Sequence, residues 1–425
     1  MAGLLEDLPA DWRVIPFGEV VSDSAFGPRF SGDLYAEDGN VATLRTTDMD
    51  DDGWISYETM PLAKLETAKF QNHLLRKDDL VITRSGTCGI AGIFRGFDKP
   101  VLPGAFLIRF RLNEQADVRF FRYLFNSKAG RGHLLSIAAG AVQQNINITN
   151  LKKLPVPLPP LPVQRRIASI LSAYDDLIEN NTRRIAILEE MARALYREWF
   201  VHFRFPGREK IKMVDSPLGP IPKGWDVATL SGLADINASS IKRGEELHSI
   251  NYVDIASVST GRIEKVEQLD LQDAPGRARR IVRHGDIIWS TVRPNRRSYS
   301  VIIDPVPNLI VSTGFAVISA TSAPFTYLYY VVTTDEFAAY LTNHATGSAY
   351  PAVNAKDFEN APVVLPPKEL LSRFHDITEP NLRLRELLTR KATNLRTTRD
   401  LLLPKLISGE IDVLNTAGPP LEAIA

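Results

Sequence analysis

The pattern of apolar and polar positions predicts two similar mixed α/β regions, each followed by a long helix. The elements predicted for the first region are an extended entry from Trp12 to Val20, strands at Asp79–Thr83 and Phe106–Phe110, and a helix within Asp117–Ala138. The second region repeats this order, with strands at Asp286–Trp289 and Thr313–Ser319 and a helix near Tyr327–Leu341. After each region, apolar residues recur at heptad spacing.

Each heptad pattern predicts a helix with an apolar seam, and the first pattern contains no proline or glycine from Val163 to Phe205. The predicted seam residues are Ile167, Leu171, Tyr174, Ile178, Ile185, Leu188 and Leu195, then Phe374, Ile377, Leu384, Leu388, Leu395 and Leu402. A helix of ~40 residues is about 60 Å long. Two such helices can bury their seams against each other or against partner helices. Antiparallel packing would place the two regions at opposite ends, with pseudo-two-fold symmetry.

The sequence also repeats itself. A shift of 207 residues (347 − 140 = 207) aligns Gly140 with Gly347, and the same shift aligns Asp79 with Asp286 and Asn147 with Asn354. This period is far longer than a solenoid repeat, so each copy is expected to be a domain plus a connector.

The proline-rich segment Leu154–Pro162 ends the first region. Proline fixes φ and biases the preceding residue away from helix, so the segment is expected to be extended. It is either a docking motif for another domain or a rigid spacer, and its recurrence before the second helix favours the spacer.

Together these patterns predict an α+β protein with two tandem domains. The predicted segments are residues 1–160 as domain one, 161–206 as the central helix, 207–367 as domain two, 368–412 as the C-terminal helix and 413–425 as a flexible tail.

Composition narrows the class of protein. The chain has 425 residues, of which 44% are hydrophobic and 24% charged, and this fits two globular cores. No apolar run is long enough to cross a bilayer and the first residues are acidic, so we expect a cytoplasmic protein without a signal peptide. The single cysteine, Cys88, cannot form an internal disulfide. The formal net charge is zero, so binding of nucleic acid would require local patches or a partner protein.

Several segments resemble one known family. Gln164–Leu171 with Asp175–Ile178, and the terminal Leu402–Ile411, resemble the two helical spacers of the specificity subunit of type I restriction-modification systems. The run Gly140–Ile148, continued through Leu158–Pro160, resembles the closing segment of that family's target recognition domains. The resemblance covers nearly the whole chain in the right order.

The resemblance implies that each domain reads one half of a split target in double-stranded DNA, and that the helices fix the gap. It further implies docking of two methyltransferase subunits and a motor-nuclease subunit. The chain itself would be non-catalytic, with S-adenosylmethionine, ATP and Mg in the partner subunits. One departure is that copy two has Tyr350–Asn354 where copy one has Gln143–Asn147, so polar contacts of Gln143 and Gln144 do not transfer.

Sequence motifs of catalysis and metal binding are absent or incomplete. We find no phosphate-binding loop, no zinc-binding His-Glu-x-x-His and no amino-methyltransferase motif. Copy two has Val292–Asn295 in the region of Cys88, which argues against a nucleophile there. Asp48–Gly53 matches the start of a calcium loop, but Thr59 stands where the loop requires Glu. A solvated turn, or an acidic edge held away from phosphates, fits this segment better.

Arginine clusters and polar loop residues indicate where DNA would be contacted. From Arg277 to Arg297, copy two has seven arginines and one acidic residue. The candidates there are Arg277, Arg279, Arg280, Arg283, Arg293, Asn295, Arg296 and Arg297. Copy one offers a weaker patch with Arg84, Arg95, Arg109 and Arg111, and polar candidates Thr46, Thr47, Ser85, Thr87, Gln143, Gln144 and Asn145. Arginine can pair with phosphate or read guanine, and the sequence leaves both roles open.

The repeat distinguishes residues that hold the structure from residues that read DNA bases. Residues kept in both copies are expected to hold the fold or the phosphates, and base readout is expected where the copies differ. Two other functions remain open: a paired-domain scaffold that binds protein without reading DNA, and an autonomous DNA-modifying enzyme. The arginine cluster disfavours the scaffold, and the missing cofactor loop disfavours the enzyme.

Overall fold

The computed structural model describes residue 5 and residues 7–137, 145–241 and 247–414. The chain divides into two compact units, Met1–Asn180 with Ala392–Ala425 and Asn181–Lys391. Each unit holds one α/β domain, called domain one and domain two, together with a segment of each long helix. The predicted α+β class with tandem domains is confirmed.

The described part of the first unit contains nine strands and the start of the first long helix. The strands are β1 (Arg13–Pro16), β2 (Val21–Phe26), β3 (Val41–Leu44), β4 (Leu62–Ala63), β5 (Leu80–Thr83), β6 (Ala91–Ile93), β7 (Val101–Pro103), β8 (Leu107–Leu112) and β9 (Pro155–Leu158). The helices are α1 (Val118–Asn126), α2 (Lys128–Ser136), α3 (Ile148–Lys152) and α4 (Leu161–Tyr196).

Besides the two-stranded sheet of β1 and β9, domain one contains two small sheets. One has the order β2-β8-β5-β6 and the other β4-β3-β7, in which β3 and β7 run parallel. All four residues of β3 and of β5 are buried. Such continuous burial explains their apolar runs, because both faces of these strands are covered.

The predicted helix within Asp117–Ala138 is two helices. Ser127 interrupts it, because the Ser127 hydroxyl accepts the backbone N–H of Gly130 at 3.0 Å and caps α2. A cap of this kind stops the preceding helix, and periodicity alone does not show it.

The proline-rich segment is extended, as predicted, and it is also a strand of the domain. Strand β9 pairs antiparallel with β1, with Arg13 opposite Leu158. The segment therefore closes domain one by joining its end to its beginning.

The second unit repeats the plan. Its strands are β10 (Met213–Val214), β11 (Ile221–Pro222), β12 (Asp226–Thr229), β13 (Ala234–Ile236), β14 (Ser249–Val253), β15 (Val258–Ser259), β16 (Arg262–Ile263), β17 (Glu267–Asp270), β18 (Ala278–Ile281), β19 (Ile287–Ser290), β20 (Tyr299–Val301), β21 (Leu309–Ser312), β22 (Phe315–Ala320) and β23 (Pro362–Leu365). Its helices are α5 (Phe325–Val332), α6 (Asp335–His344), α7 (Ala355–Glu359) and the second long helix α8 (Lys368–Ile407). The main sheets have the orders β13-β22-β19-β20 and β17-β14-β21-β18, and β14 runs parallel to β21.

Within each unit, the segments of α4 and α8 pack antiparallel. In the first unit Ile167 and Leu171 share a core with Leu406 and Ile407, and Asp175 pairs with Arg399 further along. In the second unit, Trp199 packs near Phe374 and Glu189 pairs with Arg385. Helix α4 continues past Tyr196 as a π-helical turn, Arg197–Val201.

The seam of α4 follows the sequence pattern closely. Ile167, Leu171, Ile178 and Ile185 are buried. The other predicted seam residues, Tyr174, Leu188 and Leu195, are half-buried.

Ile377, a predicted seam residue of α8, is 47% exposed, so it is not buried within this chain and its prediction as a contact for a partner helix stays a prediction. Phe374 and Leu388 are buried, whereas Leu384, Leu395 and Leu402 are half-buried. The buried stripe instead contains Phe374, Thr378, Leu382, Arg385, Leu388, Ala392 and Arg399. Counting apolar residues missed it because Thr378, Arg385 and Arg399 are polar residues with buried partners.

Candidate nucleic-acid interface

Two predicted residues of domain one, Arg84 and Asn145, are in contact. Arg84 follows β5, and its Nε donates to Asn145 Oδ1 at 3.1 Å. Its guanidinium lies over the Phe26 ring, 4.3 Å from the centroid. The adjacent Ser85 is half-buried and Thr87 is exposed. The loop after β5 therefore presents a fixed arginine beside polar side chains.

A groove adjoins this loop at the carboxyl ends of the parallel strands β3 and β7. Its volume is about 540 Å³, and it is lined by Pro28, Arg29, Phe30, Tyr35, Thr43, Arg45, Thr46, Thr47, Gly104, Ala105, Phe106 and Leu107. The Phe106 carbonyl accepts the backbone N–H of Arg84 at 2.8 Å, so the groove and the arginine loop are neighbours. The structure thus brings Thr46 and Thr47 to the same side of domain one as Arg84 and Asn145.

Phe106 is a candidate that the sequence pattern missed. It was assigned to a strand, but the strand begins at Leu107 and the Phe106 side chain is 57% exposed. An exposed phenylalanine beside an arginine is a recognition signal visible only in the structure.

Arg45 lines the same groove and is held firmly. Its Nε and Nη2 donate to the two carboxylate oxygens of Asp48 at 3.1 and 2.8 Å, and Nη2 also donates to the Thr59 carbonyl. Because Asp48 provides the hydrogen bond and the opposite charge, the pKa of Arg45 is raised. Arg45 is therefore a fixed part of the groove wall whose charge is compensated by Asp48.

Other predicted residues of domain one lie elsewhere. Arg95 is exposed and stacks over Trp54 at 4.6 Å. Gln143 and Gln144 lie outside the described residues. The prediction for Arg109 and Arg111 is wrong, because Arg109 is fully buried against Asp23 and Arg111 pairs with Asp23 and Asp79. These two arginines neutralise internal carboxylates and are not available to DNA.

In domain two, the structure separates the arginine cluster into two groups. The first lies along β18 and the turn that follows it. There Arg277 donates to the Tyr252 hydroxyl at 3.1 Å, Arg279 to the Gly276 carbonyl at 3.1 Å, and Arg280 to the Ser240 hydroxyl at 3.4 Å. Arg277 and Arg283 are exposed, whereas burial lowers the pKa of Arg280. The outward-facing members of this group are therefore Arg277 and Arg283.

The second group occupies the loop between β19 and β20. Arg293 lies over the ring of Tyr350 at 4.5 Å, and Tyr350 is 68% exposed. Asn295 and Arg296 are also exposed. Arg297 is engaged internally by Asp335 and by the Thr333 carbonyl. Arg293 and Arg296 are thus better placed for a ligand than Arg297.

The two domains share a backbone framework around these loops. Arg84 N–H bonds to the Phe106 carbonyl at 2.8 Å, as Thr291 N–H bonds to the Gly314 carbonyl at 2.8 Å. The Arg84 carbonyl accepts from Ile146 N–H at 3.0 Å, as the Thr291 carbonyl accepts from Val353 N–H at 2.9 Å. The side chains differ sharply: arginine and phenylalanine in domain one become threonine and glycine in domain two.

Residues kept by the repeat hold the fold, as predicted. Asp79 accepts the backbone N–H of Arg76 and Asp286 that of Arg283, both at 2.8 Å. Asn147 caps α3 and Asn354 caps α7. Gly140 lies outside the described residues, while Gly347 has a φ of 100°.

The acidic turn that matched a calcium loop attaches domain one to α8. Asp50 Oδ1 accepts the backbone N–H groups of Asp52 and Trp54, and the Asp52 carboxylate pairs with Arg399 at 3.2 Å. Gly53 has a φ of 80°, and a Cβ there would lie 2.0 Å from the Ala91 carbonyl oxygen, so the turn requires glycine. Asp51 and Asp52 are exposed, as expected for a solvated turn, and Asp52 in addition pairs with the buried Arg399.

Across the described ranges, no group of three His, Cys, Asp or Glu side chains is arranged to hold a metal ion. Cys88 is buried, and burial raises the pKa of its thiol. Among the same residues, no helix is long and apolar enough to span a membrane.

Comparison with known proteins identifies related sequences and a related fold. Residues 9–190 match the family model described as type I restriction modification DNA specificity domain. The type I restriction enzyme MjaIX specificity subunit of Methanocaldococcus jannaschii is 26% identical over 302 residues, which is 69% of each chain. The MjaVIII specificity subunit of the same organism is 22% identical over 424 residues, covering 96% of this chain and 95% of that one.

A solved structure shares the fold over nearly the full length. The crystal structure of the type I restriction-modification system S subunit from M. genitalium matches with a TM-score of 0.61 at 16% identity. The match covers 95% of this chain and 97% of that chain.

Proposed function

Because the chain belongs to the family of specificity subunits of type I restriction-modification systems, we propose that each of its domains reads one half of a split double-stranded DNA target. Domain one would use the loop after β5, which contains Arg84, and the groove lined by Phe106. Domain two would use the loop between β19 and β20, which contains Arg293, with Arg277 and Arg283 as further contacts. The main support for this proposal is that corresponding loops of the two domains keep the same backbone hydrogen bonds but present different side chains.

The charge balance supports a function inside a complex. A net charge of zero gives little general attraction to DNA, so local arginines must act with partner subunits. In this proposal the long helices set the unread gap and dock two methyltransferase subunits, and a motor-nuclease subunit joins for cleavage. Exposed apolar side chains on these helices, including Ile187, Met191, Ile377 and Leu387, fit a partner-binding role.

The chemistry would belong to the partners. The proposal assigns S-adenosylmethionine to the methyltransferase subunits and ATP with Mg to the motor-nuclease. The chain itself contributes recognition and no catalytic group. The complex would act on DNA in the cytoplasm.

Gel-shift titration of random-sequence duplexes, with and without the methyltransferase subunits, tests this function. We expect weak, salt-sensitive binding by the chain alone and selection of a split sequence by the complex. Tight sequence-specific binding by the chain alone would contradict the need for partners. Failure of the complex to select any sequence would favour a protein-binding scaffold.

The gap is tested by adding four residues to α4 after Asn181 and four to the facing part of α8. Four residues are close to one turn, so the seam stays nearly in phase while the helix lengthens by about 6 Å. We expect both half-sites to be kept and the gap to grow by about one or two base pairs, since base pairs are about 3.4 Å apart. An unchanged gap would show that the helices do not set it.

A further inference from the structure

Among the described residues, Arg84 is held by contacts that leave its two terminal nitrogens without a partner. Phe26 covers one face of the guanidinium at 4.3 Å, and Asn145 accepts from Nε at 3.1 Å. Within the described part of the chain, Nη1 and Nη2 take part in no hydrogen bond or ion pair. A guanidinium fixed by its face and its Nε presents two parallel N–H donors, and guanine O6 and N7 match that fork.

Phe106 is the immediate neighbour of this fork. Its carbonyl accepts the Arg84 backbone N–H, while its ring is 57% exposed at the rim of the groove. Thr46 and Thr47 line the same groove and can add methyl groups to its surface. In the major groove, the apolar group offered by a base pair is the C5-methyl of thymine.

We propose that domain one reads a guanine through Arg84 and a neighbouring thymine methyl group through Phe106. This inference rests on the proposed DNA-reading function and specifies the bases that this site accepts. Phosphate oxygens can accept the same fork, so the exposed Phe106 ring beside Arg84 carries the choice of a base edge, since a phosphate offers that ring no apolar group. Domain two has Thr291 and Gly314 at the positions that make the same backbone hydrogen bond, so its half-site is read by other side chains.

The experiment uses the whole chain assembled with its methyltransferase subunits. The split target is first selected from a random pool of duplexes. Each guanine of the domain-one half-site is then replaced by 7-deazaguanine, which lacks the N7 acceptor, and each thymine by deoxyuridine, which lacks the methyl group. We expect one guanine position to lose about tenfold or more in affinity, and an adjacent thymine position to lose about fourfold.

Two variants assign these losses to residues. The complex with Arg84→Lys keeps the charge but not the fork, and it should become insensitive to the 7-deazaguanine change. The complex with Phe106→Ala should become insensitive to deoxyuridine at the adjacent position. Arg76→Ala, which changes an exposed arginine of domain one outside the candidate set, is the matched control and should keep both sensitivities.

The results of these experiments distinguish a failure of the proposed base contacts from a failure of the proposed DNA-reading function. If the complex selects no DNA sequence, the proposed function fails. If it selects a split target but neither base change has a position-specific effect, the inference alone is wrong. It is equally wrong if Arg84→Lys retains the 7-deazaguanine effect, or if Arg84→Ala weakens all duplexes uniformly and lowers the salt dependence, since a phosphate contact gives that pattern.

Discussion

The two units attach their domains to the long helices with different chemistry. In the first unit, the buried carboxylate of Asp175 on α4 accepts from the Tyr123 hydroxyl at 2.6 Å. The same carboxylate pairs with Arg122 at 3.1 Å and with Arg399 of α8 at 2.8 Å. Burial and the nearby Asp175 charge raise the pKa of Tyr123, so the hydroxyl remains a donor. This junction is a buried polar network.

In the second unit, an aromatic cluster joins the domain to the helices, beside the buried Arg385. The ring of Phe374 on α8 lies 5.0 to 6.3 Å from the rings of Tyr196, Trp199, Phe200 and Tyr330. Under the repeat, Leu382 takes the place of Asp175 (175 + 207 = 382) and Ala192 that of Arg399 (399 − 207 = 192). The duplicated fold therefore conserves positions and backbone contacts while its side-chain chemistry diverges, at the helix junctions as at the reading loops.

The largest effect is expected from Phe374→Ala. Removing a fully buried phenylalanine from a ring cluster costs about 3–5 kcal/mol. Hydrogen exchange should show the loss in the second unit. Ile377→Ala on the same helix is the control and should change stability by less than about 0.5 kcal/mol, since its side chain is half exposed. Equal effects of the two changes would contradict the corrected seam.

For the polar network around Asp175 we expect a different result, in which a second substitution recovers part of the stability lost in the first. Asp175→Ala leaves Arg399 and Arg122 without their shared carboxylate and should cost about 3 kcal/mol. Changing both residues to their repeat counterparts, Asp175→Leu with Arg399→Ala, removes one buried charge of each sign. We expect the double variant to unfold at a higher denaturant concentration than Asp175→Ala. Additive losses would show that the two side chains are not coupled.

Within the second unit, Arg293 and Arg297 separate reading from folding. Arg293→Ala should weaken DNA binding of the complex by about 1–3 kcal/mol through the domain-two half-site, with unchanged thermal stability. Arg297→Ala should lower stability, because Asp335 and the Thr333 carbonyl lose their partner, and should leave the recognised sequence unchanged. Titration of the selected duplex and thermal unfolding distinguish the two. The opposite assignment of effects would reverse the roles given to these arginines.

The smallest effects on stability are expected at Asp79 and Asp286, which occupy corresponding positions in the two copies of the repeat. Burial raises the pKa of both carboxyls. An acid whose pKa is raised by folding favours the folded state at low pH, and this contribution is lost as pH rises from the ordinary value through the raised one. At neutral pH, Asp286→Asn should therefore be neutral or stabilising within about 1 kcal/mol, since Asn still accepts the Arg283 N–H. Asp79→Asn should destabilise, because Arg111 loses its carboxylate.

Urea unfolding of each variant from pH 4 to pH 7 measures these contributions. Relative to the Asp286→Asn protein, the native protein should lose stability as pH rises through this range. A constant difference across the range would mean that Asp286 does not titrate differently in the folded state.

The sequence predicted the repeat, the central strands β5, β8, β19 and β22, and the long helices, because these depend on runs and periods of apolar positions. It did not predict the breaks at Ser127 and within the second helical region, where Ser127 caps α2 and Thr334 caps α6. The buried stripe of α8 was misplaced because Arg385 and Arg399 are buried through ion pairs with residues distant in sequence.

The candidate interface shows the same division. Charge counting found Arg84 and Arg293 but also Arg109, which is neutralised by Asp23 across a pair of neighbouring strands. Phe106 was hidden inside a predicted strand, although its ring is exposed. Which arginines face outward depends on strand pairing, and that pairing joins residues far apart in the chain.

Whether the two domains read DNA separately is tested most directly by determining the DNA sequence that each of three complexes selects. The complexes contain the native chain, the Arg84→Ala variant or the Arg293→Ala variant. Each complex is assembled with the methyltransferase subunits and selected against the same random pool. We expect two half-sites separated by an unread gap, with Arg84→Ala relaxing only one half and Arg293→Ala only the other. A continuous target, or relaxation of the same half by both variants, would contradict this expectation.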